Sequence, residues 1–368
     1  MATKADTRAT ADRLYTALLD AGAVPVEADI LQPAETLLDL YGEDIRARAY
    51  VTTDPIRGEM MLRPDFTVPV VQMHMAHGAD PARYAYRGEV FRKQDHLSAR
   101  KAEYFQVGYE VFDRENPSAA DAEVFALFAT LLAPLNLRAA TGDIGILMAA
   151  VGGLSTLDSR KAALLRHIWR PRRFTQLLDR FGGRSPAPES RVRLLAALAA
   201  GAMPDSAPLI GLRSETEIAA RLAALQEDAA TPPISAEEVM LLEDLLNLSE
   251  KSPTALAHLR DLARVLPAIA PAVDRMEARL EGLVARGVDV AALDFEASHG
   301  RSTLEYYDGF VFSFHATDPA LPPVASGGRY DALTQVLGAD QNGGRSIPAV
   351  GGVIRPGLVA DLEGLACA

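Results

Sequence analysis

Apolar residues recur at helical spacing over residues 7–22, through Ala11, Leu14, Leu18 and Leu19, and the run closes near Gly22. That spacing predicts a helix with one face on a core. Residues 33–41 predict a second helix, with Pro33 in its first turn, where a missing N–H costs nothing. Strand-like runs and turns then alternate at 49–52, 60–62, 84–90 and 104–112. Helical spacing returns over 117–133, with Asp121 and Glu123 early, where the helix dipole favours carboxylates. Residues 144–148 read either as a short strand or as a helix start. From 155 to 285 the chain turns Ala- and Leu-rich, with charges at helical spacing and prolines between the helical runs. This predicts a helical insert (155–285) between two sequence-distant parts, 1–154 and 286–368, of one sheet domain. Strand patterns resume at 295–297, 310–314 and 349–354. The plan is α+β rather than a regular βαβ alternation.

Composition narrows the class. Hydrophobic residues make up 49% and charged ones 23%, ordinary for a globular protein. A net charge of −12 gives no support for a nucleic-acid partner. The single cysteine, Cys367, allows no internal disulfide. No signal-peptide core and no apolar run of membrane-spanning length appear, so a cytoplasmic setting without membrane association is expected. Of the seven histidines only His74 and His77 lie close together. They read as helix-surface residues, and no metal site is expected.

Three blocks could carry chemistry. In Leu62–Pro69, Asp65 and Thr67 would share one side of an extended segment and could accept hydrogen bonds from an ammonium. The competing reading is a turn at Arg63-Pro64 with Asp65 as a cap. The second block runs from Tyr86 through Arg92 and Gln94 to Glu103–Phe112 and predicts a long antiparallel hairpin. Gln106, Gly108 and Glu110 alternate onto one face, either a solvated stripe or a pocket floor in which Gly108 leaves room for a ligand. The third block is Ser326-Gly327-Gly328-Arg329-Tyr330-Asp331, about twenty residues beyond Leu304-Glu305-Tyr306-Tyr307. A glycine pair admits close backbone approach to a bound molecule. Adjacent tyrosines on a strand would face opposite sides.

The hairpin, Leu-Glu-Tyr-Tyr and Gly-Gly-Arg-Tyr-Asp, in this order and spacing over residues 10–150 and 295–355, resemble the catalytic core of histidyl-tRNA synthetases. The resemblance implies a class II synthetase-like sheet of six or seven antiparallel strands flanked by helices, dimerising around Pro33. It also implies a histidine pocket made of Asp65, Thr67, Gln106, Glu110, Tyr306 and Tyr307, with Arg92 on the adenylate phosphate side. Asp65 stands where the family has a glutamate and is one methylene shorter.

The departures from the family are informative. Aligning the tyrosines puts Ser302 where synthetases carry the catalytic arginine, and Arg301 beside it would face the other side of a strand. The segment Arg355-Pro356-Gly357-Leu358 replaces Gly-Leu-Glu-Arg, and Pro356 would disturb the helix beginning there. Lys93-Gln94 follows Arg92 where the family ends in glutamate. The sequence runs ten residues past Leu358, so an anticodon-binding domain is not expected. Losing one preorganised charge-stabilising group costs roughly 10²–10³ in rate. Two such losses cost on the order of 10⁴–10⁶ if independent. Recognition survives where adenylation does not.

The pattern is therefore most similar to the regulatory-subunit family of ATP phosphoribosyltransferase. That resemblance implies a non-catalytic chain without cofactor, partnered by a short-form catalytic subunit in a hetero-octamer of four plus four. Histidine would be its feedback effector. The alternative is an enzyme that still adenylates an amino acid. Residues 166–173, rich in arginine around Trp169, could contact a partner; the competing reading is a helix C-terminus whose arginines complement the dipole.

Overall fold

Strands β5 (Ala82–Phe91) and β6 (Glu103–Phe112) form the expected hairpin and pair along their whole length, from Ala82 opposite Phe112 to Phe91 opposite Glu103. The computed structural model describes residues 2–35, 49–94, 101–201, 213–301, 306–339 and 346–366. Most of the expected second helix (33–41) lies outside these residues, as do Ser302 to Glu305. Leu31–Pro33 is itself a short strand (β2).

The hairpin sits in a mixed sheet with β1 (Val24–Pro25), β7 (Arg138–Asp143), β8 (Ser249–Lys251), β9 (Asp294–Glu296), β10 (Phe310–His315), β11 (Ala325–Arg329) and β12 (Ala349–Ile354). The order among the described residues is β1-β5-β6-β12-β11-β10-β7-β9-β8. That is nine strands, more than the resemblance implied, and β1/β5 and β7/β9 run parallel. Four of the strands, β1, β7, β8 and β11, went unread in the sequence. Glycine is a poor strand former, yet β11 is held by ladders on both sides, to β10 and to β12. A separate small sheet pairs β2 and β3 (Val51–Asp54) with β4 (Gly58–Leu62).

Helices cover both faces of the large sheet. On one side, α1 (Lys4–Asp20) packs on β6 and on the C-terminal helix, and a capping box between Thr3 and Asp6 starts it. Beside it α3 (Pro117–Leu132) sets Phe125 and Phe128 edge-on against Phe312. With its continuation to Leu135, α3 is long and apolar enough to cross a membrane by length and composition. Here it is a core helix of the sheet domain.

On the other side, α2 (Thr67–His77) lies over β5 and β6 and packs on the helix that follows β11. His74 corrects the surface reading. It is fully buried, stacked on Phe112 at 3.8 Å, with Nδ1 3.1 Å from the Tyr84 hydroxyl. The 144–148 ambiguity resolves as a helix, α4 (Ile144–Gly152), capped by the Asp143 side chain.

Among the described residues the segment 155–285 is mostly helical, and its strand β8 joins the sheet edge beside β9. Its helices are α5 (Asp158–Arg166), α6 (Pro171–Phe181), α7 (Glu189–Ala199), α8 (Glu215–Ala230), α9 (Ala236–Asn247), α10 (Ser252–Val265) and α11 (Ala270–Ala285). The last, α11, lies on α3 and delivers Arg279 to a buried ion-pair chain. Arg279 pairs with Asp143 at 3.0 Å and Asp121 at 3.4 Å, and Asp121 also takes Arg329 at 2.7 Å. Neither Asp121 nor Glu123 lies in the first turn of α3, so side-chain partners rather than the helix dipole hold them. Glu123 accepts both arms of Arg83 at 2.7 Å and the Tyr109 hydroxyl at 2.7 Å.

Candidate functional site

Glu110 on β6 is the centre of the site. It is 1% exposed, and three hydroxyls converge on its carboxylate. Tyr86 donates to Oε1 at 2.8 Å, Thr67 to Oε1 at 3.2 Å, and Tyr330 to Oε2 at 2.6 Å. Burial penalises the ionised form and pushes its pKa up to about 7, against the pull of those three hydrogen bonds. The sheet register makes the space. Glu110 stands opposite Gly351 of β12, where a Cβ would come within 1.5 Å of Oε2. Any side chain at 351 would evict the carboxylate.

Gly328 stands opposite Gly351 on the next strand, and a Cβ there would meet the Tyr307 ring at 2.8 Å. The glycine pair thus admits a tyrosine ring of the chain itself rather than a ligand. Gly108 behaves alike: it stands opposite Tyr86, and a Cβ there would strike that ring at 2.1 Å. The room expected for a ligand at 108 is filled by Tyr86, which stacks on Phe66 at 4.4 Å.

Thr67 is the first residue of α2, and Tyr306 donates to its hydroxyl at 3.4 Å. Phe66 occupies the N-cap with no side-chain cap bond, so Asp65 is not the cap of this helix. Asp65 is buried, and its charge opposes ionisation of Glu110, Tyr86 and Tyr307. Tyr306 lies in a turn and Tyr307 in irregular chain, neither in a strand. Their rings meet edge-on at 4.8 Å, so both serve one site instead of facing opposite sides.

Gln106, two positions along the face of β6 that carries Glu110 in the alternating pattern, is 1% exposed, and its Oε1 has no hydrogen-bond partner among the described residues. Buried acceptors are nearly always satisfied. A donor-bearing ligand would satisfy this one.

Thr67, Glu110, Tyr306 and Tyr307 are thus joined directly, Asp65 and Gln106 flank them, and Arg92 stands to one side. Arg92 Nε donates to the Pro64 carbonyl at 2.8 Å. Tyr86 and Tyr330 belong to the site but were absent from the expected set; their signal was the chain order of the hairpin and of Arg-Tyr-Asp. Arg329 and Asp331 of that run are structural. Arg329 is held by Asp121 and Asp331, and Asp331 Oδ1 accepts the Ala349 N–H at 2.9 Å. This Asp331 begins α12 (Asp331–Gly338), whose first N–H groups donate to Asp308.

The remaining cations are turned elsewhere. Arg301 is 5% exposed, donates Nε to the Ile168 carbonyl at 2.8 Å and lies over Phe174 at 4.8 Å. Burial lowers its pKa to about 10. It faces the helical segment. Arg355 donates to the Pro323 carbonyl. Pro356 does not disturb the helix that follows: α13 (Pro356–Ala366) begins on it, a position suited to proline.

Sheet, flanking helices and buried carboxylate describe a class II synthetase-like protein, and the family model of histidyl-tRNA synthetase matches residues 3–207 and 215–355. The ATP phosphoribosyltransferase regulatory subunit of Brucella anthropi is 33% identical over 356 residues, covering 89% of each chain. That of Allorhizobium ampelinum is 32% identical over 353 residues, covering 90% of this chain and 91% of the relative. A solved structure from Bacillus halodurans, titled as an ATP phosphoribosyltransferase regulatory subunit/histidyl-tRNA synthetase, superposes with a TM-score of 0.67 at 20% identity. It covers 97% of this chain and 79% of its own. The chain belongs to the family of ATP phosphoribosyltransferase regulatory subunits, built on the histidyl-tRNA synthetase fold.

Proposed function

We propose that this chain is the non-catalytic regulatory subunit of an ATP phosphoribosyltransferase in the cytoplasm, and that it binds histidine as the feedback effector. The observation that carries the reading is the division of polar groups in the site. Acceptors cluster around Glu110, with Asp65, Thr67, the Gln106 Oε1 and Tyr306 nearby, a set suited to an ammonium and an imidazole N–H. The described arginines that could serve a phosphate, Arg92 and Arg355, each donate to a backbone carbonyl.

The partner is a short-form catalytic subunit, in a hetero-octamer of four plus four. Allostery then means that histidine favours one quaternary state by a coupling free energy. A homodimer of this chain is supported by the small sheet, which exposes Leu31, Val51 and Ile56, the last almost fully. We also assign 155–285 to a helical insert on a core of 1–154 and 286–368.

Calorimetry on the chain and on its complex with the catalytic subunit tests the pocket. Histidine-specific heat in either supports it, and none at millimolar ligand overturns it. Pyrophosphate exchange with each amino acid tests the non-catalytic reading, and robust exchange would replace it with an adenylating enzyme.

A further inference from the structure

Charge is unevenly distributed along this chain. Residues 160–193 hold ten lysines and arginines against two acids, a net of +8. The rest of the chain, whose total is −12, therefore carries −20. Part of this surplus is neutralised inside the helical segment, where Asp228 takes Arg160 at 2.5 Å, with Arg191 and Arg180 beside it. The turn between α5 and α6 is different. Arg166, Arg172 and Arg173 are exposed, and none makes an ion pair among the described residues.

The helix-dipole reading of these arginines holds only for Arg166, at the end of α5. Arg170 is the N-cap of α6, and Arg172 and Arg173 stand in its first turn, which holds no acidic residue. That is the positive end of the dipole, where cations are unfavourable. Mutual repulsion is visible at His167, whose pKa is lowered by burial and then by Arg170, Arg173 and Arg166. The arrangement costs the fold stability, which marks these positions as serving something outside it.

The same turn is tied to the site. Trp169 Nε1 donates to the Tyr307 carbonyl at 3.1 Å, while Arg301 bonds Ile168 and lies over Phe174. The turn is thus bonded directly to the backbone of a site tyrosine.

We propose that the exposed arginine face of the α5–α6 turn, Arg166, Arg172 and Arg173, is the surface that docks a carboxylate-rich patch of the catalytic subunit. The proposal rests on the regulatory reading above. Planar guanidinium groups bind carboxylates in bidentate fashion and anchor interfaces. Nucleic acid fits less well. Phe174 and Phe181 are buried and Trp169 is half-buried with its N–H on the Tyr307 carbonyl, so the segment presents no fully exposed ring as a base-stacking platform.

The test uses the full chain with Arg166→Glu, Arg172→Glu and Arg173→Glu combined, and the short-form catalytic subunit, followed by sedimentation velocity at low and high salt. Wild type should associate with salt-sensitive affinity, and the triple variant should bind ~tenfold or more weakly, with the salt dependence flattened. Glutamates at 172 and 173 suit the positive end of α6 and offset the loss of the favourable Arg166 at the end of α5, so the variant should melt close to wild type and still bind histidine. Arg172→Gln with Arg173→Gln, which only removes charge, should show a smaller loss.

If wild type and triple variant associate equally, the docking surface is wrong and the regulatory reading stands. The surface is equally wrong if the variant loses binding to a tRNA oligonucleotide but not to the subunit. If wild type does not associate at all, both readings fall.

Discussion

At the scale of single residues, the site is governed by one carboxylate held where water cannot reach it. Glu110 titrates near 7 instead of its ordinary 4.5, because burial disfavours its charge. A raised carboxylate pKa means the folded protein loses stability as pH rises from about 4.5 through about 7, by about 3 kcal/mol in full. Glu110→Gln removes that penalty but also weakens three hydrogen bonds. Urea unfolding should show the variant gaining about 1–2 kcal/mol on wild type above pH 7 and nothing below pH 4.5. A bound ammonium favours the ionised carboxylate, so histidine affinity should fall as pH drops through about 7. In Glu110→Gln that fall should vanish, leaving only the ligand's own imidazole titration in the calorimetric profile.

Gly351 makes the complementary test. Gly351→Ala places a methyl where the Glu110 oxygen lies. It should destabilise by about 1–3 kcal/mol and abolish histidine heat, with the sheet's far-UV circular dichroism preserved.

At the scale of elements, the helical segment and the sheet are joined by charge as well as by apolar packing. Arg279 from α11 reaches Asp143 at the end of β7 and Asp121 in α3, and all three are almost fully buried. Removing one partner leaves carboxylates in a low-dielectric core, which is costlier than losing the pair as a whole. Arg279→Met should therefore lower stability by about 3–5 kcal/mol in chemical denaturation. The helices themselves were largely legible from local pattern: the capping boxes Thr3/Asp6, Ser214/Glu217 and Ser235/Glu238 each open one. Strand β11 was not legible, because Ser326-Gly327-Gly328 has no strand propensity of its own and is extended only between β10 and β12.

At the scale of the whole molecule, the small sheet and the arginine turn are candidate surfaces with different chemistry. The first is apolar, with Leu31, Val51 and Ile56 exposed, and fits a second copy of the chain. Leu31→Asp with Ile56→Asp should shift the sedimentation coefficient from dimer to monomer and leave the melting temperature of the protomer near wild type. The second is cationic and fits a partner of opposite charge. Separate defects in the two variants, one in self-association and one in subunit binding, would assign each surface to its own partner.

Periodicity and motif order determined the class of fold, the hairpin and the framing helices, because these depend on neighbours close in sequence or on spacing preserved along a strand. Tertiary structure alone decided what each group touches. It put Tyr86 and Tyr330 on Glu110, turned Tyr306 and Tyr307 to the same site, sent Arg329 to Asp121 and Arg301 to the helical segment, and placed three arginines at the wrong end of a dipole. The partners of these contacts are distant in sequence, from 24 residues between Tyr86 and Glu110 to 220 between Tyr330 and Glu110. No local pattern carries that information; the sheet register does.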